Sequence, residues 1–197
     1  MARFDIMPYR GGSQGTVIPP VEHYRLNASE TFVEGEPVSV NGDGELTESA
    51  DDPAAEDMIG IAAMSGDTAG LTNTIGIYRK RVGMFSPGAS PNLPQTGDMI
   101  QVWEAYQGHT FITKNFATDG AGTLVTPTLA NALAERAGLS LTSGQWSLDV
   151  GTSNFIARVV DVLDANGRSL QNGGGTGAAV LFKFVTDELR STAAVLA

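Results

Sequence analysis

Four short motifs in this chain carry residues with reactive or ligating potential, and each has a plainer use. Gly11-Gly12-Ser13-Gln14-Gly15 fits the G-x-S-x-G pattern of a nucleophile elbow. Such an elbow needs an apolar strand before the serine and a helix after it to hold the strained turn. Met-Pro-Tyr-Arg precedes here and Thr-Val-Ile-Pro-Pro follows, so linker glycines account for the match. Asn41-Gly42-Asp43-Gly44-Glu45, with Asp52 at the twelfth position, has the outline of a calcium loop. Its sixth position is Leu46 where glycine is required, and its twelfth lacks the bidentate Glu. A hairpin turn explains the same residues, because Asn-Gly and Asp-Gly supply positive φ. Asp51, Asp52, Glu56 and Asp57 offer oxygen ligands for a weak cation site, or a solvated acidic loop. Gly173-Gly174-Gly175-Thr176-Gly177 lacks the Lys-Ser/Thr and the helix start of a phosphate cradle, and reads as a hairpin loop. No general acid, base and electrophile come together, so the expectation is a non-enzyme without cofactor or metal.

Composition narrows the partners. The chain has 197 residues, no Cys, two His (His23 and His109) and a net charge of −10. Disulfides and thiolate metal sites are therefore excluded. A polyanion repels nucleic acid unless its bases cluster, and Arg79-Lys80-Arg81 is the one basic run, better placed as solvated strand charges. No stretch approaches the ~18 apolar residues of a membrane span. The N-terminus lacks the apolar segment of a signal peptide, so the expected product stays on the side of the membrane where it is made. Asn27-Ala28-Ser29 then carries no meaning as a glycosylation site.

The elements that would position any site are short. Glycine is abundant at 24 residues, and apolar residues come in alternating bursts rather than at helical spacing. Strands are predicted near 22–26, 36–40, 58–64, 74–82, 99–105, 110–116, 155–163 and 179–185. Within Thr31–Gly70, which holds close to half of the 22 acidic residues and no Lys or Arg, the pattern is strand, tight turn, strand, acidic loop, strand. One helix is predicted in 127–137, with Thr128 as cap, Leu129 and Leu133 on one face, and Gly138 as terminator. The fold class is all-β: a small barrel with an extended N-terminal arm over 1–21, long loops and one short helix. The barrel domain would cover 22–197, with insertions at 85–98 and 119–151.

What remains is interaction chemistry. The arm offers Phe4, Ile6, Met7, Tyr9, Val17 and Ile18, with Arg3 and Arg10, in an extended and partly apolar segment. It would bury those groups by adding a strand to a partner's sheet edge; the alternatives are a frayed terminus or a strand within the chain. Trp103, Tyr106 and Trp146, with the loop at 85–98, are the basis of a second reading, a carbohydrate- or cell-surface-binding domain of a virion fibre or adhesin.

Phe32-Val-Glu-Gly-Glu-Pro-Val-Ser-Val, Gly44-Glu-Leu-Thr-Glu-Ser, Met58-Ile-Gly-Ile-Ala-Ala, Asp67-Thr-Ala-Gly and Thr74-Ile-Gly-Ile-Tyr-Arg follow one another in order. Over about 24–82 this order resembles the capsid cement or decoration proteins of tailed bacteriophages, the lambda-type head decoration proteins. The segments 85–98 and 119–151 depart from the short members of that family. The resemblance implies a β-tulip-like barrel, commonly a homotrimer, on the outer surface of the virion capsid. It would be assembled in the host cytoplasm and would bridge major capsid protein subunits to stabilise the expanded head. The arm residues Phe4, Ile6, Met7, Tyr9, Arg10, Val17 and Ile18 would grip the shell.

Overall fold

The computed structural model describes residues 6–9, 21–27, 30, 32–54, 57–63, 99–105 and 109–185. Strand β1 (Ile6–Pro8) precedes five strands that close into a small barrel: β2 (Val21–Leu26), β3 (Pro37–Val40), β4 (Glu45–Glu48), β5 (Met58–Ala62) and β6 (Met99–Glu104). The order round the barrel is β2-β4-β3-β5-β6, with every pairing antiparallel except β2 with β4. Leu26, Phe32, Val38, Leu46, Ala62, Ile100 and Val102 fill it. The β3–β4 turn forms as the Asn-Gly-Asp-Gly run predicts. The Asn41 side-chain oxygen accepts the amides of Asp43 and Glu45 at 3.0 and 2.9 Å.

The barrel also faces outward. Between Val38 and Ser39 the β3–β5 register steps by one residue, leaving Ile59 as the extra residue of a bulge. Ile59 and Ala62 pack with the barrel interior, while Met58 and Ile61 join Trp103 and Ala105 in a second core. That core belongs chiefly to a seven-stranded sheet. Its further strands are β7 (Phe111–Thr113), β8 (Phe116–Ala117), β9 (Arg136–Thr142), β10 (Gln145–Asp149), β11 (Ala157–Leu163) and β12 (Ala179–Phe184). Their order is β1-β7-β12-β11-β9-β10-β8.

β7 and β8 lie far apart in that order, yet only Lys114 and Asn115 separate them in the chain. Three Cα steps span at most about 11 Å, so the sheet must curl until its ends meet. Asn115 holds the bend: its carbonyl accepts the Leu148 amide at 3.0 Å and its side-chain amide donates to the Trp146 carbonyl at 2.8 Å. Alternation then sends one face of every strand inward. Phe111, Phe182 and Phe184 meet there with ring centroids 5.1–5.9 Å apart, beside Trp146, Leu139 and Leu148.

The all-β class, with one short helix, is what the alternation predicts. Several boundaries differ. The arm is not wholly extended outside the fold: Ile6 and Pro8 are buried, because β1 pairs antiparallel with β7. The helix shrinks to α1 (Leu129–Ala132). Thr128 caps it through Asn131, but Leu133 is extended and Ala134 has φ 64°. Gly138 terminates nothing; it lies inside β9, where a Cβ would run into the Asn154 carbonyl. The segment 119–151, expected as an insertion, supplies β9 and β10. Their Ser143-Gly144 turn has φ of 52° and 71°, the mirror-image geometry that suits a two-residue hairpin. The expected strand at 110–116 breaks at the Lys114–Asn115 bend. The strand expected at 74–82, the loop 85–98, Arg79-Lys80-Arg81 and the Ser13 motif lie outside the described residues. Among the described residues no helix is long and apolar enough to cross a membrane.

Phe182 is fully buried and touches two other rings. Truncating it to Ala removes those contacts and leaves a cavity, at a cost of about 3–5 kcal/mol. Urea unfolding of Phe182→Ala should show a midpoint lowered accordingly.

Candidate interaction surface

The two tryptophans form no exposed ligand platform: Trp103 is 8% exposed and Trp146 fully buried, both inside the second core. Phe111 and Phe116 are buried there as well. Tyr106 lies outside the described residues. The aromatics therefore give the adhesin reading no surface among the described residues. Among those residues, no group of three or more His, Asp or Glu is placed to hold a metal ion.

The buried polar centre is structural in its chemistry. Asp149 on β10 is fully buried. One carboxylate oxygen accepts the amides of Gly120 and Gly151 at 3.2 and 2.8 Å, and the other accepts the Gly122 amide and the Ser140 hydroxyl at 3.0 and 3.2 Å. Four donors to an anion compensate its lost hydration and pin the 119–123 loop over the outer side of β9 and β10. In that loop Asp119 accepts the Ala121 and Thr123 amides. The Thr123 hydroxyl and then those amides hold the Asp119 carboxyl below the usual range. Asp164 is lowered likewise in the β11 turn, first by the Arg168 amide. Asp51 and Asp52 are also spent on architecture. Asp51 accepts the Leu141 amide at 2.7 Å, and Asp52 takes the Ser153 hydroxyl at 2.8 Å, tying the acidic loop to the curled sheet.

The arm residues divide. Ile6 is buried in the second core, Tyr9 is half-buried, and Met7 points outward at 39% exposure. Phe4, Arg10, Val17 and Ile18 lie outside the described residues. The Tyr9 amide donates to the Thr110 carbonyl, so by antiparallel alternation Met7 also faces β7 with its main chain. The outer edge of β1 is then left to Ile6 and Pro8. The Ile6 amide already donates to the Gly35 carbonyl at 3.1 Å, and proline has no amide hydrogen. That edge offers no main-chain donor to an added strand, a protection against edge pairing.

The charges are segregated. Among the described residues before 106, eleven acids stand against one base, Arg25, which pairs with Glu45 at 3.2 Å. Residues 109–185 hold Asp119, Glu135, Asp149, Asp161 and Asp164 against Lys114, Arg136, Arg158, Arg168 and Lys183, an even balance. Register concentrates three of these bases. Arg158 on β11 lies directly opposite Lys183 on β12 and directly opposite Arg136 on β9. All three are on the outer face, since Ala157, Val159, Phe182, Phe184 and Ala137 alternate with them into the core. Like charges directly opposed in a sheet cost up to about 1 kcal/mol per pair. The next row on that face runs through Met7, Ile112, buried Leu181 and then Asp161, register partners in turn. His109 lies near Lys183 and Glu104. Burial lowers its pKa, Glu104 opposes that shift, and Lys183 adds to it.

Sequence reasoning missed this row. Arg158, with Asp161 three residues on, and Lys183 stood as scattered polar residues in apolar strands, and nothing in the chain states the register that aligns them. The chain matches no family model, no curated protein and no solved structure.

Asp149→Ala removes the acceptor of four hydrogen bonds; partial access to water as the loop opens limits the cost to about 3 kcal/mol. Exchange of the Gly120, Gly122 and Gly151 amides should accelerate well beyond that of the β9–β10 ladder. For Asp119 the folded pKa lies below the unfolded value of about 3.9. Its contribution is present above that pH and is lost as pH falls through the lowered folded value. A carboxyl-carbon NMR titration should place its midpoint below that of an unfolded-peptide Asp.

Proposed function

We propose that this chain is a non-enzymatic structural protein of a tailed-phage virion. It binds the outer surface of the capsid and bridges major capsid subunits, stabilising the expanded head. One observation carries the reading. The stretch whose motif order resembles the cement proteins supplies three neighbouring strands, β4, β3 and β5, of a closed barrel whose described part carries eleven acids against one base. A closed barrel has no open edges, and a dense negative surface keeps particles apart and soluble. The tie between the acidic loop and the curled sheet through Asp51 and Asp52 favours a rigid body over a flexible linker. Repeated weak contacts on a shell add up by multivalency, so no single deep pocket is needed.

The test is co-sedimentation of the full chain with expanded shells of the major capsid protein from the same genome. Saturable pelleting, at a fixed ratio to capsid subunits and absent with unexpanded shells, is the expected result. A chain that stays in the supernatant across the titration ends the reading. Removing residues 1–20 is a poor probe of the arm, because it would also strip β1 and the buried Ile6 from the core. Exchanging only the arm residues outside the described strand, Val17→Ser with Ile18→Ser, should lower occupancy and leave the unfolding midpoint in place.

A further inference from the structure

We propose that Asn172, in the connection between β11 and β12, is a self-modification site that converts to aspartate and isoaspartate without an enzyme. Asparagine followed by glycine is the pair most prone to this reaction, because glycine has no Cβ to hinder its amide nitrogen. The chain has three such pairs, Asn41-Gly42, Asn166-Gly167 and Asn172-Gly173. The glycine nitrogen gives up its proton to hydroxide and attacks the Asn side-chain carbon Cγ. An N–Cγ bond forms and the Cγ–Nδ2 bond breaks, leaving a five-membered imide. The departing nitrogen takes a proton from water and leaves as ammonia, which restores the hydroxide. A second water opens the imide. Cleavage at the Cγ carbonyl yields Asp, and cleavage at the main-chain carbonyl yields isoaspartate, whose backbone runs through Cβ and Cγ.

Hydrogen bonding, not crowding, separates the three pairs. A Cβ placed at Gly42, Gly167 or Gly173 meets nothing within 4 Å, so each pair has room for ring closure. Asn41 is clamped: its Oδ1 accepts the Asp43 and Glu45 amides, and drawing Cγ onto the Gly42 nitrogen distorts both bonds. At Asn166 the nucleophile is held, since the Gly167 amide donates to the Asp164 carbonyl at 3.0 Å. The Asn166 side chain also bonds the Asp164 carboxylate, whose charge disfavours an amide anion beside it. Asn172 has the least to release. It is exposed, and its side chain has no hydrogen-bond partner among the described residues. The Gly173 amide makes the longer arm of a shared bond: the Leu170 carbonyl accepts Gly173 at 3.2 Å and Gly174 at 2.8 Å.

The product forms beside an anchored turn. Leu170, in the single 3-10 turn Leu170–Asn172, is buried in the second core, and the Gln171 side chain donates to Asp161. Isoaspartate adds one main-chain carbon at the end of that turn, and either product adds one negative charge to a chain already at −10. This inference rests on local geometry and amide chemistry, not on the virion reading.

Incubating the folded chain at neutral and mildly alkaline pH, with a denatured sample in parallel, tests it. Peptide mapping by mass spectrometry locates each deamidated Asn, and chromatography separates the Asp and isoaspartate forms. In the folded chain Asn172 should react first, about tenfold faster than Asn41 or Asn166, which must release more bonds. The rate should rise with pH, as amide deprotonation requires. In denaturant the three rates should converge, because the bonds that separate them are gone. Asn172→Gln, which keeps the carboxamide but needs a larger ring, should remove the leading product and leave the unfolding midpoint in place. Asn41 or Asn166 reacting first in the folded chain overturns the inference. So does an Asn172 that reacts no faster than the other two, or that yields no product while the denatured chain does. A lead for Asn172 that persists unchanged in denaturant also overturns it, because the fold would then not be its cause.

Discussion

The fold depends on one core being shared by two β units. The five-stranded barrel fills its own interior with seven buried side chains and then contributes Met58, Ile61, Trp103 and Ala105 to the interior of the curled sheet. A single-residue bulge at Ile59 makes this possible: Ile59 and Ala62, three apart, both face the barrel interior, which leaves Met58 and Ile61 facing outward. The curl depends in turn on the Lys114–Asn115 bend, which brings the two ends of the sheet together around Phe111, Trp146 and Phe182. Without the shared core, neither unit would hide its apolar face, since a small sheet exposes one side unless something packs on it.

This sharing fixes the charges in space. Main-chain and side-chain bonds from Asp51 and Asp52 reach Leu141, Ser153 and Asn154, so the acidic loop is part of the joint rather than a tether. An acidic barrel and a sheet with a cationic row are thereby held as one polar body.

Much of the barrel was legible in the sequence because its signals are local. Asn41-Gly42-Asp43-Gly44 specifies a turn, Val38/Val40 lead into it as a strand, and Met58/Ile61 mark a further strand beyond the acidic loop. Thr128 was legible as a cap for the same reason, as a side chain acting on an amide three residues away. The curled sheet was harder. Its β9–β10 hairpin carries the Ser143-Gly144 turn signal and alternating Leu, but the preceding Ala- and Leu-rich run suggested a longer helix. Tertiary packing overrode that propensity after one turn, as Ala137 and Leu139 entered the core. β1 was hidden by its proline, which is tolerated because it stands at an edge. The cationic row was out of reach, because it exists only once β9, β11 and β12 are in register.

The shared core makes a direct demand on unfolding. Trp103 belongs to the barrel strand β6 and Trp146 to the sheet strand β10, and both are buried in that core. Urea unfolding of Trp103→Phe and Trp146→Phe, each leaving a single tryptophan, should be followed by fluorescence and far-ultraviolet circular dichroism together. Within each variant the two probes should trace one coincident transition, as a single cooperative unit requires. A tryptophan signal that changes at a different denaturant concentration from the backbone signal, in either variant, would show two independent units and contradict the shared core.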